Sequence, residues 1–90
     1  MPRHEWIGRL DFDLATAAKI RTKHNLTEDQ IRDAICFGHH GRARFKEDTP
    51  YGPRLEVEGV TDEGIRVKAF LRPVDRTDGH WECMTAVRLG

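Results

Sequence analysis

From Arg54 onward the apolar residues of this chain fall on every second position. Leu55 and Val57 alternate with Arg54, Glu56 and Glu58, and Ile65, Val67, Ala69 and Leu71 alternate with Arg66, Lys68, Phe70 and Arg72. A period of two requires extended chain with one face in a core and one in solvent. If both apolar sets share that core face, register parity selects a three-residue loop, Asp62-Glu63-Gly64, with Gly64 in the left-handed conformation of a bulged hairpin. Glu58 then faces Lys68, and Arg54 faces Arg72. Pro73 ends the second strand, Arg76-Thr77-Asp78-Gly79 turns the chain, and His80 to Leu89 forms a last strand with Trp81, Cys83, Thr85 and Val87 on one side. These neighbouring strands predict a sheet that is antiparallel throughout.

The half before Arg54 reads differently. Glu5 to Phe12 places Trp6, Leu10 and Phe12 at even spacing, a candidate first strand. Asp13 is a suitable N-cap for a helix to about Lys23, with Leu14, Ala17, Ala18 and Ile20 as a thin apolar face and His24-Asn25 as its end. Thr27-Glu28-Asp29-Gln30 is a capping box, Leu26 and Ile31 form its hydrophobic staple, and Ile31, Ala34 and Ile35 make the buried stripe of a second helix that Gly38 stops. Glu28 and Asp29 complement its dipole. Between Gly38 and Pro53 only Ala43 and Phe45 suggest structure, a short edge strand in a mobile loop.

Ninety residues suffice for one core, so residues 1–90 form a single domain of the α+β class, two N-terminal helices followed by a twisted sheet. No apolar run approaches the roughly 18 residues of a membrane span. Met1-Pro2-Arg3-His4-Glu5 is no signal peptide, and Cys36 and Cys83 are too few for a disulfide framework. A cytoplasmic protein with reduced thiols and no membrane partner is expected. Fifteen basic and fifteen acidic residues cancel, so phosphate binding would need a local patch and not the field of the whole molecule.

Phe12-Asp13, then Lys23-His24-Asn25-Leu26-Thr27, then Arg54, Gly59 and Gly64, and finally Thr85-Ala86 form a series of short motifs across most of the chain. The series resembles the BrnT group of the RelE superfamily. There an aromatic-Asp pair leads through a helix to Lys-His-small-hydrophobic-Ser/Thr, and an Arg, a Gly and a second Gly punctuate a later hairpin. Thr16 stands where that group commonly carries Lys, and Val87 where an Arg is usual, with Arg88 one position later. The resemblance implies a RelE-like fold and the toxin of a type II toxin-antitoxin module, a metal-independent endoribonuclease that cleaves messenger RNA without a cofactor. The partners it implies are a small antitoxin and messenger RNA, on or off the ribosome, with a homo-oligomer left open.

Cleavage of RNA by its own 2′-hydroxyl needs a base, a cation for the phosphorane and an acid for the leaving oxygen. Lys23 and His24 are the candidate acid/base pair, and Arg54, Arg66 and Arg88 the candidate phosphate ligands, since Arg is a planar bidentate donor. Lys68, Phe70 and Arg72 share the charged strand face and are candidate RNA-binding residues, Phe70 by stacking a base or meeting the antitoxin. The same pattern also describes a plain solvated sheet face, and Lys23-His24 equally suits a helix C-terminus. A non-catalytic domain that holds a protein partner through its sheet is therefore the alternative. Cys36-x-x-His39-His40 has the look of metal ligands but lacks a convincing fourth, so no metal site is expected.

Overall fold

The computed structural model describes residues 5–36, 39–47, 49–50 and 52–89. They form β1 (Arg9–Asp11), α1 (Leu14–His24), α2 (Glu28–Ile35), β2 (Arg42–Lys46), β3 (Arg54–Val60), β4 (Arg66–Asp75) and β5 (His80–Leu89). The strands make one sheet in the order β1-β5-β4-β3-β2. Both helices lie on one face of it, so the class is α+β.

The local signals act where they were expected. The Asp13 carboxylate accepts from the Thr16 N–H at 2.7 Å, and Asn25 closes α1 in the left-handed conformation at φ 54°. Thr27 and Gln30 exchange both bonds of the capping box, at 3.1 and 2.9 Å. Gly38 lies outside the described residues, and α2 ends at Ile35 with Cys36 extended. The hairpin has the parity-selected loop: Glu58 faces Lys68, Val60 faces Arg66, and Gly64 takes φ +89°. The β3–β4 ladder stops at Leu55–Leu71, one step short of Arg54 and Arg72. These two turn instead to carboxylates, Arg54 to Glu56 and Arg72 to Glu82.

Four expectations are corrected. Pro73 does not end its strand: it pairs with Trp81, and β4 runs on to Asp75. The sheet is mixed, not antiparallel throughout, because β1 precedes the helices and pairs parallel to β5, with Leu10 opposite Trp81. No hairpin dictates that pairing; the Gly8 and Arg9 N–H groups donate to the Gly79 carbonyl, and Asp11 accepts from His80 Nε2 at 2.7 Å. The last strand does not keep one parity. Phe70 faces Thr85 but Leu71 faces Cys83, so a bulge at Met84 reverses the alternation. Trp81, Cys83 and Ala86 enter the core, while Thr85 and Val87 turn to the other face. In the N-terminal half, Ile7 rather than Trp6 is buried, and Leu14 on α1 is 89% exposed. The apolar face of α1 narrows to Ala17 and Ile20.

The core lies between the helices and one side of the sheet. Ile20, Leu26, Ile31, Ala34 and Ile35 pack on Leu55, Val57, Val67, Ala69, Leu71 and Trp81. Gly59 lets α2 approach β3: a Cβ there would stand 1.9 Å from the Ala34 carbonyl oxygen. The opposite side of β2–β5 carries no helix among the described residues.

Candidate functional site

Strand alternation sends the charges of β2, β3 and β4 to that open side. β2 contributes Arg42, Arg44 and Lys46, β3 contributes Arg54, and β4 contributes Arg66, Lys68 and Arg72. Among the described residues these seven cations meet three carboxylates on the same side of the sheet, Glu56 and Glu58 of β3 and Glu82 of β5, which pairs with Arg72. A chain of zero net charge thus concentrates positive charge on one surface.

Glu56 is the centre of this face. Its carboxylate, with its side chain 13% exposed, lies 2.9 Å from Lys46 Nζ, 3.0 Å from Arg54 Nη2 and 3.7 Å from Lys68 Nζ. The hydrogen bond from Lys46 and then that from Arg54 hold its pKa below the usual carboxylate value, against the opposing effect of burial. Next to it, the half-buried ring of Phe70 has the Arg54 guanidinium at 5.1 Å and the Lys68 ammonium at 5.5 Å from its centroid. Phe70, Arg54, Met84 and Thr85 line a hollow of about 370 Å³. An aromatic face between two cations can stack a base while the cations meet its phosphates.

Two further concavities open on β2 and β3. One of about 450 Å³ is lined by Arg42, Arg44, Glu56, Glu58 and Lys68. The other, about 490 Å³ at the end of the sheet, takes in His39, Arg42, Glu58 and Arg66. Arg42 and Glu58 are cross-strand partners.

The sequence-derived candidates divide accordingly. Arg54, Arg66, Lys68, Phe70 and Arg72 share the open face. Arg88 faces Val67, on the core parity of β5, and with Arg66 lines a hollow of about 220 Å³. Lys23 and His24 end α1, which packs on the core face, so the sheet stands between them and Arg54 or Arg66. The expected acid/base pair and its phosphate ligands therefore do not converge on one site.

Of the Cys36-His39-His40 group, Cys36 is buried and burial raises its thiol pKa. His39 and His40 each place Nδ1 against a carbonyl of α2, those of Asp33 and Ile35. Among the described residues no three His, Cys, Asp or Glu side chains are grouped to hold a metal ion, and no helix is long and apolar enough to cross a membrane.

Residue-by-residue reading of the sequence missed Arg42, Arg44 and Lys46, and weighed His39 only as a metal ligand. The first three were legible: Ala43 and Phe45 mark an edge strand, and what alternates with them must face the other way. The place of His39 depends on the turn out of α2, which has no local signature. No family model matches the chain, and neither a curated protein nor a solved structure is found to resemble it.

Proposed function

We propose that the open face of the sheet is an RNA-binding surface, and that the protein is a toxin or toxin-like component of a type II toxin-antitoxin module. In this reading it is a BrnT-like, metal-independent endoribonuclease acting on messenger RNA. The observation that carries it is the set of seven cations on the open face of β2–β4, two of which, Arg54 and Lys68, lie over the half-buried Phe70. Cations in a row supply sequence-independent affinity for the phosphate backbone, and an aromatic among them favours single strands with unstacked bases. An antitoxin would silence the protein by laying an acidic segment over the same cations.

The test uses the purified protein and a labelled single-stranded RNA, with anisotropy followed against salt and intact length followed on a gel. Four phosphate contacts predict that log affinity falls with log salt at a slope near −3, from about −0.7 per contact. Joint replacement of Arg54 and Lys68 by Ala lowers both the affinity and the slope. His24→Ala changes neither, because α1 lies behind the sheet. Cleavage persists in chelator, and induction without the antitoxin arrests growth. If the folded wild type neither binds nor cuts RNA, this reading fails. The face then belongs to a non-catalytic domain holding a protein partner, a reading for which the exposed Val60 and the neighbouring Leu89 supply an apolar border.

A further inference from the structure

We propose that the cleft at the sheet end is the cleavage centre, with His39 as general acid, Glu58 as general base, and Arg42 and Arg66 as the ligands of the reacting phosphate. The assignment rests on the ribonuclease reading and gives it the proton carriers that Lys23 and His24, behind the sheet, do not provide.

The hydrogen bonds that build the cleft use backbone groups, the Asp33 carboxylate and His39 Nδ1. The His39 N–H donates to the Cys36 carbonyl at 3.1 Å, anchoring the residue to the end of α2. Its Nδ1 lies 2.9 Å from the Asp33 carbonyl. A carbonyl oxygen only accepts, so Nδ1 carries the hydrogen, and Nε2 becomes the nitrogen that gains and gives the second proton. The Asp33 carboxylate in turn accepts from the Asp62 N–H at 2.9 Å, tying α2 to the β3–β4 loop. On the other wall, the Gly41 N–H donates to the Glu58 carbonyl at 2.9 Å and starts the ladder that sets Arg42 opposite Glu58. Arg66 enters from β4, where it faces both Val60 and Leu89. A volume of about 490 Å³ falls within the range of small-ligand sites, roughly 300–1,000 Å³.

One imidazole, one carboxylate and two guanidinium groups supply what transesterification needs. The Glu58 carboxylate takes the proton of the 2′-hydroxyl, and the 2′-oxygen forms a bond to the adjacent phosphorus. The bond from phosphorus to the 5′-oxygen breaks, and His39 gives its Nε2 proton to that oxygen. Arg42 and Arg66 donate to the non-bridging oxygens as charge builds on them. The products are a 2′,3′-cyclic phosphate and a 5′-hydroxyl end. Glu58 finishes protonated and His39 neutral, and water exchanges the proton back. No electron leaves or enters.

The experiment maps one cleaved linkage in a single-stranded RNA and compares wild type with His39→Gln and Glu58→Gln. His39 is an exposed turn residue and Gln is close in shape to Glu, so melting curves should match that of the wild type. Each variant should lose 10²-fold or more in kcat while RNA affinity stays within about twofold, since the arginines remain. Replacing the bridging 5′-oxygen of that linkage by sulfur should restore His39→Gln to the wild-type rate, because a thiolate leaves without a proton. Glu58→Gln should stay slow on the same substrate. A wild type that binds RNA without cleaving it overturns the cleavage centre and leaves the binding face standing. A wild type that cleaves while His39→Gln keeps its rate, or gains nothing from sulfur, overturns the role of His39 and leaves the nuclease reading intact.

Discussion

Replacement of Gly59 by Ala tests the packing that holds the cleft together, because two opposed effects predict opposite signs. In an open extended position, Gly→Ala removes freedom from the unfolded chain and stabilises by about 0.4–1 kcal/mol. At Gly59 the added Cβ would meet the Ala34 carbonyl oxygen at 1.9 Å, its carbon at 2.8 Å and Ile35 Cγ2 at 3.2 Å. The first two are backbone atoms, so relief requires α2 to move off β3 rather than a side chain to rotate. Overpacking of this kind costs about 1–3 kcal/mol, and a shift forced on a whole helix belongs at the upper end. With a urea dependence near 1 kcal/mol/M for a small domain, the unfolding midpoint should fall by roughly 2–3 M. Gly41→Ala is the control: no atom lies within 4 Å of its Cβ position, and its midpoint should be unchanged or slightly higher. A midpoint for Gly59→Ala equal to or above that of the wild type would refute the close approach of α2 to β3.

Three further outcomes follow from other parts of the molecule. Thr27→Ala removes the acceptor of the Gln30 N–H and should cost about 1 kcal/mol, seen as a melting temperature lower by roughly 5 °C; equal melting points would contradict the helix start. Added zinc or chelator should leave the melting temperature in place, since Cys36 is buried and His39 and His40 are tied to α2, whereas a shift beyond a few degrees would restore the metal reading. The depressed pKa of Glu56 means that its ionised form stabilises the fold above the ordinary value of 4.5, and that this contribution disappears as pH falls through the folded value. Urea midpoints of wild type and Glu56→Gln should therefore differ by a constant amount above about pH 4.5 and converge as pH falls below it, and a gap that stays constant into acid would show that Lys46, Arg54 and Lys68 do not stabilise the carboxylate.

Short-range signals made much of this fold legible. The Thr27–Gln30 capping box, the Asp13 N-cap and the Asp62-Glu63-Gly64 loop each depend on residues within one turn or one hairpin, and each has the expected geometry. Both glycines noted for their spacing have physical reasons, Gly64 a positive φ and Gly59 the passage of α2. The parallel pairing of β1 was not legible, because Leu10 and Trp81 are far apart in sequence and nothing local joins them. Nor was the Met84 bulge, which one extra residue in an otherwise regular strand creates. The candidate site was half legible for the same reason. Period two put Arg54, Arg66, Lys68, Phe70 and Arg72 on one face, but no periodicity reports that α1 lies behind the sheet or that the turn after α2 carries His39 to its end.

Titration of the isotopically labelled protein with a short, uncleavable single-stranded RNA, followed by amide chemical shifts, tests the binding face most directly. The shifts should concentrate on β2, β3 and β4, with Arg44, Glu56, Lys68 and Phe70 among the largest, and weaken together as salt is raised. The amides of α1, Lys23 and His24 included, should stay in place. Shifts centred on α1, or no shifts at all, would contradict an RNA surface on the open face of the sheet.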